Sequence, residues 1–310
     1  MPALSNKIYF NYGGQGPLPT NSLEAIIESW KKIQELGPFT TDIWPYIAKE
    51  TLKTRQVLAK LCGVPTSRLA LTENVTSGCI LPLWGLPFSR DERILISDSE
   101  HPGIVAACKE IARRLNLFID ILPIKKIVHG QKNEALKNEI VLTEIERSLQ
   151  VKTRLVVISH LLWNTGQIMP IQEIAERLLS HKNKPFLLVD GAQSFGQISV
   201  KEAASSSDIF AFTGHKWACG PEGLGGVALS ERLISESQPT LIGWRSLKNE
   251  DCNIQNLDEI FHQDSRRFEI ATSCIPLMAG LRSSLNLLEN EGSISKRLQI
   301  IQTFSKKLWE

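Results

Sequence analysis

The sequence lacks the marks of several protein classes. It has no excess charge of one sign, because 35 Lys and Arg residues balance 33 Asp and Glu residues to a net charge of +2. A balanced charge does not favour nucleic acid or an anionic membrane as partner, so we expect a small-molecule substrate. The longest apolar run, 155–163, contains Ser159 and His160 and is too short to span a bilayer. The N-terminus has no basic flank before an apolar stretch, and we expect no signal peptide.

Patterns for metal or disulfide chemistry are missing as well. No two cysteines form a C-x-x-C pair, so neither a zinc site nor a thioredoxin-like motif is indicated. Scattered single cysteines suit a reducing compartment, and we expect a cytoplasmic protein without a bound metal. The six cysteines are Cys62, Cys79, Cys108, Cys219, Cys252 and Cys274.

What is present is the patterning of a globular α/β protein. The 310 residues suggest about two domains. Helical and strand patterns alternate, which favours a mostly parallel central sheet with helices on both faces. Two polar segments, 125–138 and 248–264, are predicted to be an exposed excursion and a loop. Helices are predicted at 22–36, 47–61, 102–115, 170–179, 275–288 and 294–309, with another ending at 84, and strands at 69–71, 93–96, 117–122, 154–158, 185–189, 209–212 and 226–229.

Four of the predicted strands end shortly before polar side chains with catalytic potential. Ligands of open α/β sheets bind at the carboxyl ends of the strands. If these strands are parallel, one mouth of the sheet therefore holds all of these groups. They are His101 after the strand at 93–96, Asn164 after 154–158, Asp190 and Gln193 after 185–189, and Lys216 after 209–212.

This set of groups suits pyridoxal phosphate (PLP). The cofactor needs a lysine for a Schiff base and an acid that keeps its pyridine nitrogen protonated, which Lys216 and Asp190 can supply. Gln193 can hydrogen-bond the ring hydroxyl, and His101 can stack on the ring.

The phosphate of the cofactor needs amide groups at a helix start together with hydroxyl groups. The stretch 75–78 opens a predicted helix and supplies both, with Thr76 as one hydroxyl donor. Thr213 and His215, beside Lys216, are further donors.

Each of these residues also has an ordinary structural interpretation. A lysine in a loop is usually solvated, and an aspartate after a strand usually belongs to a turn or a helix cap. A threonine before a helix is usually an N-cap. The order of the groups along four strand ends is what favours a cofactor site over these interpretations.

Two longer motifs resemble the class-V aminotransferase and cysteine desulfurase family. They are LVDGAQS at 188–194 and FTGHK at 212–216. The resemblance extends from Tyr9 to about Leu288 and implies a PLP enzyme of fold type I that forms homodimers. Pro102 stands where desulfurases more often have a second histidine after His101. Four further stretches resemble the cystine and cysteine C–S lyases of the family: FNYGGQG at 10–16, EHPGI at 100–104, SHLLWNTGQ at 159–167 and GWRS at 243–246.

The resemblance assigns a role to each matched position. It implies that Lys216 holds the cofactor and then acts as base and acid, that Asp190 pairs with the pyridine nitrogen, and that His101 stacks on the ring. It further implies that Gln193 bonds the ring oxygen, that Asn164 lies by the ring hydroxyl or the substrate, that Thr76, Thr213 and His215 hold the phosphate, and that Thr272 reaches the phosphate in the partner subunit. Family members usually have Gly where Ala271 stands.

The reaction that the resemblance implies is β-elimination from cystine or cysteine. The products are pyruvate, ammonia and a persulfide or sulfide, and Trp163, Trp244 and Arg245 are candidate substrate contacts. A cysteine desulfurase, which yields alanine and passes persulfide to a protein acceptor, is one alternative. Another class-V enzyme and a chain that binds PLP without turnover are also left open.

The resemblance divides the chain into three parts. Residues 1–20 form an N-terminal arm, 21–275 a large PLP-binding domain, and 276–310 the start of a C-terminal small domain. Relatives continue past this point with a segment that includes the arginine for the substrate carboxylate. We therefore expect an incomplete small domain.

Overall fold

Strands and helices alternate along residues 1, 4–130, 133–248 and 257–310, the part of the chain that the computed structural model describes. The strands are β1 Leu69–Thr72, β2 Arg93–Ser97, β3 Phe118–Leu122, β4 Thr153–Ser159, β5 Phe186–Asp190, β6 Ile209–Thr213 and β7 Gly225–Leu229. The helices are α1 Thr20–Leu36, α2 Ile43–Cys62, α3 Val75–Gly85, α4 Pro102–Leu115, α5 Ile124–Gly130, α6 Glu134–Ser148, α7 Ile171–Ser180, α8 Lys201–Ser206, α9 Glu231–Glu236, α10 Leu257–Ile260, α11 Ile275–Asn290 and α12 Ile294–Trp309.

The strands form one sheet in the order β1-β7-β6-β5-β4-β2-β3. Strands β2 to β6 run parallel to one another, while β7 is antiparallel to both of its neighbours, β1 and β6. The prediction of a mostly parallel sheet with flanking helices is confirmed. Strand β7 reverses because the connection from β6, residues 214–224, contains no helix to return the chain to the starting edge.

The sheet is buried on both faces because its central strands are continuously apolar. All residues of β5 and β6 are buried. Alternate residues of β4 enter different cores, with Val156 in one and Leu155 in the other. The first core includes residues of α2, α6, α7, α8 and α11, and the second includes residues of α3, α4 and α9. The carboxyl ends of the strands are therefore held by packed layers on both sides.

The two polar segments contain helices. Segment 125–138 is largely helical, in α5 and the start of α6, and the side chains described there are exposed or partly exposed, in agreement with an exposed excursion. The residues that bury α6, Val141, Leu142 and Ile145, follow this polar stretch. In segment 248–264, residues 257–260 form α10, and residues 249–256, with Cys252, lie outside the described residues.

Helix α11 fixes the C-terminal part of the chain to the rest. Gly280 lies so close to α1 that a Cβ there would stand 2.6 Å from Cγ1 of Ile26. Arg282 forms an ion pair with Glu50 of α2. The hydroxyl of Ser284 donates to the carbonyl of Ala218 at 2.6 Å, two residues after Lys216. Among the described helices, none combines the length and the apolar character that crossing a membrane requires.

Candidate active site

The polar residues predicted at one mouth of the sheet follow neighbouring parallel strands. Strands β6, β5, β4 and β2 are adjacent in that order. Asp190 is the last residue of β5 and pairs in register with Ser159 of β4 on one side and Ala211 of β6 on the other. This register places the Asp190 carboxyl group at the centre of the carboxyl edge.

Asp190 and Lys216 form the electrostatic centre of this edge. Asp190 is 6% exposed, and its Oδ1 accepts a hydrogen bond from the Ala192 amide at 2.8 Å. Burial raises the pKa of Asp190, whereas the Ala192 amide, Lys216 and His101 lower it. Burial lowers the pKa of Lys216, and the negative charge of Asp190 opposes this shift. The site therefore contains a buried acid and a lysine that loses its proton more readily than a solvated one.

Thr213 and His215 lie three residues and one residue before Lys216 in the chain. The Thr213 hydroxyl and Nδ1 of His215 are 2.8 Å apart and share a hydrogen bond. Burial is the largest cause that lowers the pKa of His215, and Lys216 lowers it further. The two side chains thus form one polar pair at the end of β6.

The Gln193 amide has partners on both sides. Its Oε1 accepts from the indole nitrogen of Trp217 at 2.8 Å, and its Nε2 donates to the carbonyl of Gly13 at 2.9 Å. Both partners were absent from the predicted site, because neither belongs to a strand end.

The N-terminal arm packs against the lysine loop. The Gly16 amide donates to the carbonyl of His215 at 2.7 Å. A side chain at position 16 would overlap the carbonyl oxygen of Lys216, so only glycine permits this approach. The Tyr12 ring stacks on Trp217 with centroids 5.8 Å apart. Residues 12–16 are therefore part of the wall around Lys216.

His101 is at the mouth, next to a buried carboxyl group. His101 caps α4, and its Nδ1 accepts from the Gly103 amide at 3.2 Å. The preceding residue, Glu100, is 6% exposed and accepts from the amide and the hydroxyl of Ser159 at 2.9 and 2.7 Å. Burial and, to a lesser extent, the negative charge of Asp190 raise the pKa of Glu100, whereas its hydrogen bonds lower it. The net result is a pKa of about 7. Glu100 thus links the ends of β2 and β4.

Thr76 lies in the first turn of α3, where helix geometry leaves amide groups without intrahelical partners. The Asn74 side chain accepts from the Ser77 amide at 2.9 Å and begins the helix. Gly78 allows α3 to approach β6, because a Cβ there would lie 3.0 Å from Cβ of Ala211. The Thr76 side chain is exposed, whereas Thr213 at the end of β6 is fully buried.

The other predicted contacts lie outside the sheet, and all of them except the half-buried Arg245 are exposed. Asn164 and Trp163 lie in a turn after β4, and Trp163 is 53% exposed. Arg245 lies with its guanidinium carbon 4.8 Å from the centroid of the exposed Trp244 ring. Burial lowers the pKa of Arg245, whose Nε has no hydrogen-bond partner among the described residues. Thr272 is exposed in the loop after Glu269. These side chains are not drawn together around Asp190 by any hydrogen bond within the described ranges.

Three residues with a place in this site had no role in the prediction. Glu100 belongs to the EHPGI motif, but the sequence carries no signal that its carboxyl group is buried. Trp217 follows Lys216 directly, but adjacency in sequence does not show that it reaches Gln193. His160 is 6% exposed, contacts Phe210 edge-on, and has no partner for Nδ1 among the described residues. Burial lowers the pKa of His160 to about 4.

Known proteins resemble this chain over most of its length. Two solved structures of C-DES share 38% and 39% of their residues with it at TM-scores of 0.91 and 0.90, covering 99% of this chain and 78% of theirs. One is a mutant with glycine covalently linked to its PLP cofactor, and the other is the cystine C–S lyase with its reaction product cysteine persulfide.

Curated relatives match at lower identity. The isopenicillin N epimerase of Streptomyces clavuligerus is 26% identical over 241 residues, which are 76% of this chain and 57% of that protein. A probable cysteine desulfurase of Mycolicibacterium paratuberculosis is 25% identical over 77% of this chain and 33% of its own length. The chain thus spans between a third and three fifths of these two relatives.

The family model named aminotransferase class-V matches residues 8–310. That range includes all the motifs that carried the resemblance in the sequence. The chain therefore belongs to the aminotransferase class-V family.

Proposed function

We propose that the chain is a PLP-dependent C–S lyase that acts on cystine or cysteine by β-elimination. The observation that carries the proposal is the pairing of a buried acid, Asp190, with a half-buried lysine, Lys216, at the carboxyl edge of a parallel sheet. The identity of 39% to the cystine C–S lyase C-DES over 99% of the chain supports the choice of substrate.

The described residues fit the cofactor. Lys216 would carry the cofactor, and Asp190 would pair with its pyridine nitrogen. The positive charge on that nitrogen would offset the free-energy cost that burial imposes on the Asp190 carboxylate. His101 would stack on the ring, while Gln193 and Asn164 would contact the ring oxygen. When bound, PLP supplies an electron sink for negative charge at the substrate α-carbon.

The phosphate would lie between α3 and the end of β6. The first-turn amides of α3 and the Thr76 hydroxyl offer donors on one side. On the other side the Thr213 hydroxyl can donate to Nδ1 of His215, and in that tautomer Nε2–H of His215 is the donor for the phosphate. Thr272, on its exposed loop, would reach the phosphate of the partner subunit in a homodimer.

Lys216 would also move the substrate proton. The Lys216 amine would have to be neutral to take the α-proton of an amino-acid substrate. Burial lowers the pKa of Lys216, which increases the neutral fraction near neutral pH. Removal of the α-proton would allow a sulfur leaving group on the β-carbon to be eliminated. With cystine and water the balanced products are cysteine persulfide, pyruvate and ammonia.

Trp163, Trp244 and Arg245 would contact the substrate. Trp163 and Trp244 present ring surface, and Arg245 presents a guanidinium group whose Nε lacks a partner within the described residues. The product persulfide would pass to an acceptor.

We propose a cytoplasmic location, because single cysteines scattered along the sequence suit a reducing compartment.

A second candidate function is a cysteine desulfurase. The probable cysteine desulfurases of Mycolicibacterium paratuberculosis and Halalkalibacterium halodurans, 25% and 28% identical to the chain, favour it. A desulfurase releases alanine, whereas a lyase releases pyruvate, so one product analysis separates the two.

The test is to incubate the purified chain with PLP and cystine and to quantify pyruvate, alanine and persulfide. Lys216→Ala is the matched control. Pyruvate and persulfide in equal amounts, absent from the control, are the expected result. Alanine in place of pyruvate would support the desulfurase, and bound PLP without either product would mean that the chain binds the cofactor without turnover.

A further inference from the structure

The Gln193 amide is held in one orientation by two partners of opposite kind. An indole N–H can only donate, and a backbone carbonyl can only accept. Trp217 donates to Oε1 and Gly13 accepts from Nε2, so rotating the amide by half a turn would lose both hydrogen bonds. This orientation leaves one Nε2 hydrogen of Gln193 for another acceptor.

Packing keeps both partners in place. The Trp217 indole is stacked on Tyr12 with the two ring planes 23° apart. The backbone at position 13 lies against the amide, because a Cβ there would stand 2.9 Å from Oε1 of Gln193 and displace it. The Gly16 amide ties the same arm to the carbonyl of His215. The arm, the indole and the amide therefore form one connected unit beside Lys216.

We propose that Trp217 and the Gly13 carbonyl form a clamp that fixes Gln193 with Nε2 available to the ring oxygen of the cofactor. The inference rests on the proposed function, which places Gln193 at that oxygen. The orientation matters because the ring oxygen carries negative charge when ionised. A donated N–H attracts it, whereas a rotated amide would present Oε1 and repel it. Trp217 is thus a positioning residue that acts through Gln193.

Trp217→Phe tests the clamp, since it keeps a ring to stack on Tyr12 and removes the donor. We expect PLP to bind about fivefold more weakly, as for the loss of one oriented hydrogen bond. We also expect the pH midpoint of the visible absorption of bound PLP to rise by about half a unit or more, because the ionised ring oxygen loses a donor. Both are measured without turnover.

A double-mutant cycle separates positioning from simple packing. In a Gln193→Ala background, Trp217→Phe should have almost no further effect on either quantity, because the residue through which Trp217 acts is gone. An undiminished effect in that background would mean that Trp217 acts by packing alone and would overturn the clamp. Trp30→Phe, on the exposed side of α1, is the matched control and should behave as wild type.

PLP binding by the wild type and by Trp217→Phe separates a failure of the clamp from a failure of the proposed function. Wild-type chain that binds no PLP would contradict the proposed function itself. Wild-type binding together with unchanged affinity and pH midpoint in Trp217→Phe would contradict only the clamp. If Trp217→Phe does not fold, Gly13→Ala replaces it, because its methyl group would press on Oε1 of the same amide. It should weaken PLP binding by a similar factor, and an unchanged affinity would again refute the clamp.

Discussion

The buried carboxyl group of Glu100 makes the stability of the fold depend on pH in a way that one substitution removes. Glu100 accepts from the amide and the hydroxyl of Ser159. In Glu100→Gln, the amide oxygen still accepts from the Ser159 amide, and Nε2 can donate to its hydroxyl. The variant therefore keeps the link between β2 and β4 and loses only the ionisable proton.

The size of the effect follows from the pKa of Glu100, which burial raises from 4.5 to about 7. A raised pKa means that the folded state binds this proton more tightly than the unfolded state. The stabilisation is complete below pH 4.5 and is lost as the pH rises through 7. A shift of this size corresponds to about 3 kcal/mol. Asp190, Cys79 and Cys108 are the titratable groups that interact with Glu100, and they remain in the variant.

The assay is the free energy of unfolding of wild type and Glu100→Gln in urea, measured by circular dichroism between pH 4.5 and 8. We expect the difference between the two proteins to move by about 3 kcal/mol in favour of the variant across this range. Parallel profiles, with a difference that does not change with pH, would refute the assignment of Glu100 as a buried acid with a raised pKa.

Three further substitutions test other parts of the account. Burial lowers the pKa of His160 from 6.5 to about 4, so wild type should lose about 3 kcal/mol of unfolding free energy relative to His160→Gln as the pH falls from 6.5 to 4; identical acid profiles would contradict this. Glu269→Ala removes the acceptor of the buried Arg55 guanidinium and of the Leu71 amide, and it should lower the free energy of unfolding in urea by about 3 to 5 kcal/mol. A loss below about 1 kcal/mol would contradict the burial of the Arg55–Glu269 ion pair. Gly16→Ala should separate the arm from Lys216 and speed amide hydrogen exchange in residues 12–16 by about tenfold or more, and unchanged exchange would show that the arm is held elsewhere.

The sheet could be predicted from sequence because its strands carry their own signal. The apolar runs before Asp190 and before Thr213 are buried on both faces, and this pattern indicates parallel strands without further information. The antiparallel direction of β7 could not be predicted from the apolar pattern of the strand, because it depends on the connection from β6. Helix α6 could not be predicted from its first half, because that half is polar and the buried residues of the helix follow it.

Some residues of the site could be predicted from the sequence, and others depend on tertiary packing. Asp190 and Lys216 could be predicted because each follows a strand, and strand ends meet at one edge. The Trp217 and Gly13 contacts with Gln193 could not, since they bring together residues separated by 180 positions in one case and depend on side-chain orientation in the other. The burial of Glu100 and His160 likewise comes from tertiary packing, which neither residue type announces in a single sequence.

The central claim is that Lys216 and Asp190 form a PLP site. The most direct test is the visible absorption spectrum of the purified chain with PLP, before and after cystine is added, for wild type and Lys216→Ala. The account predicts a yellow absorption band in wild type that changes when cystine is added, and no such band in Lys216→Ala. The same spectrum in both proteins, or no band in either, would contradict it.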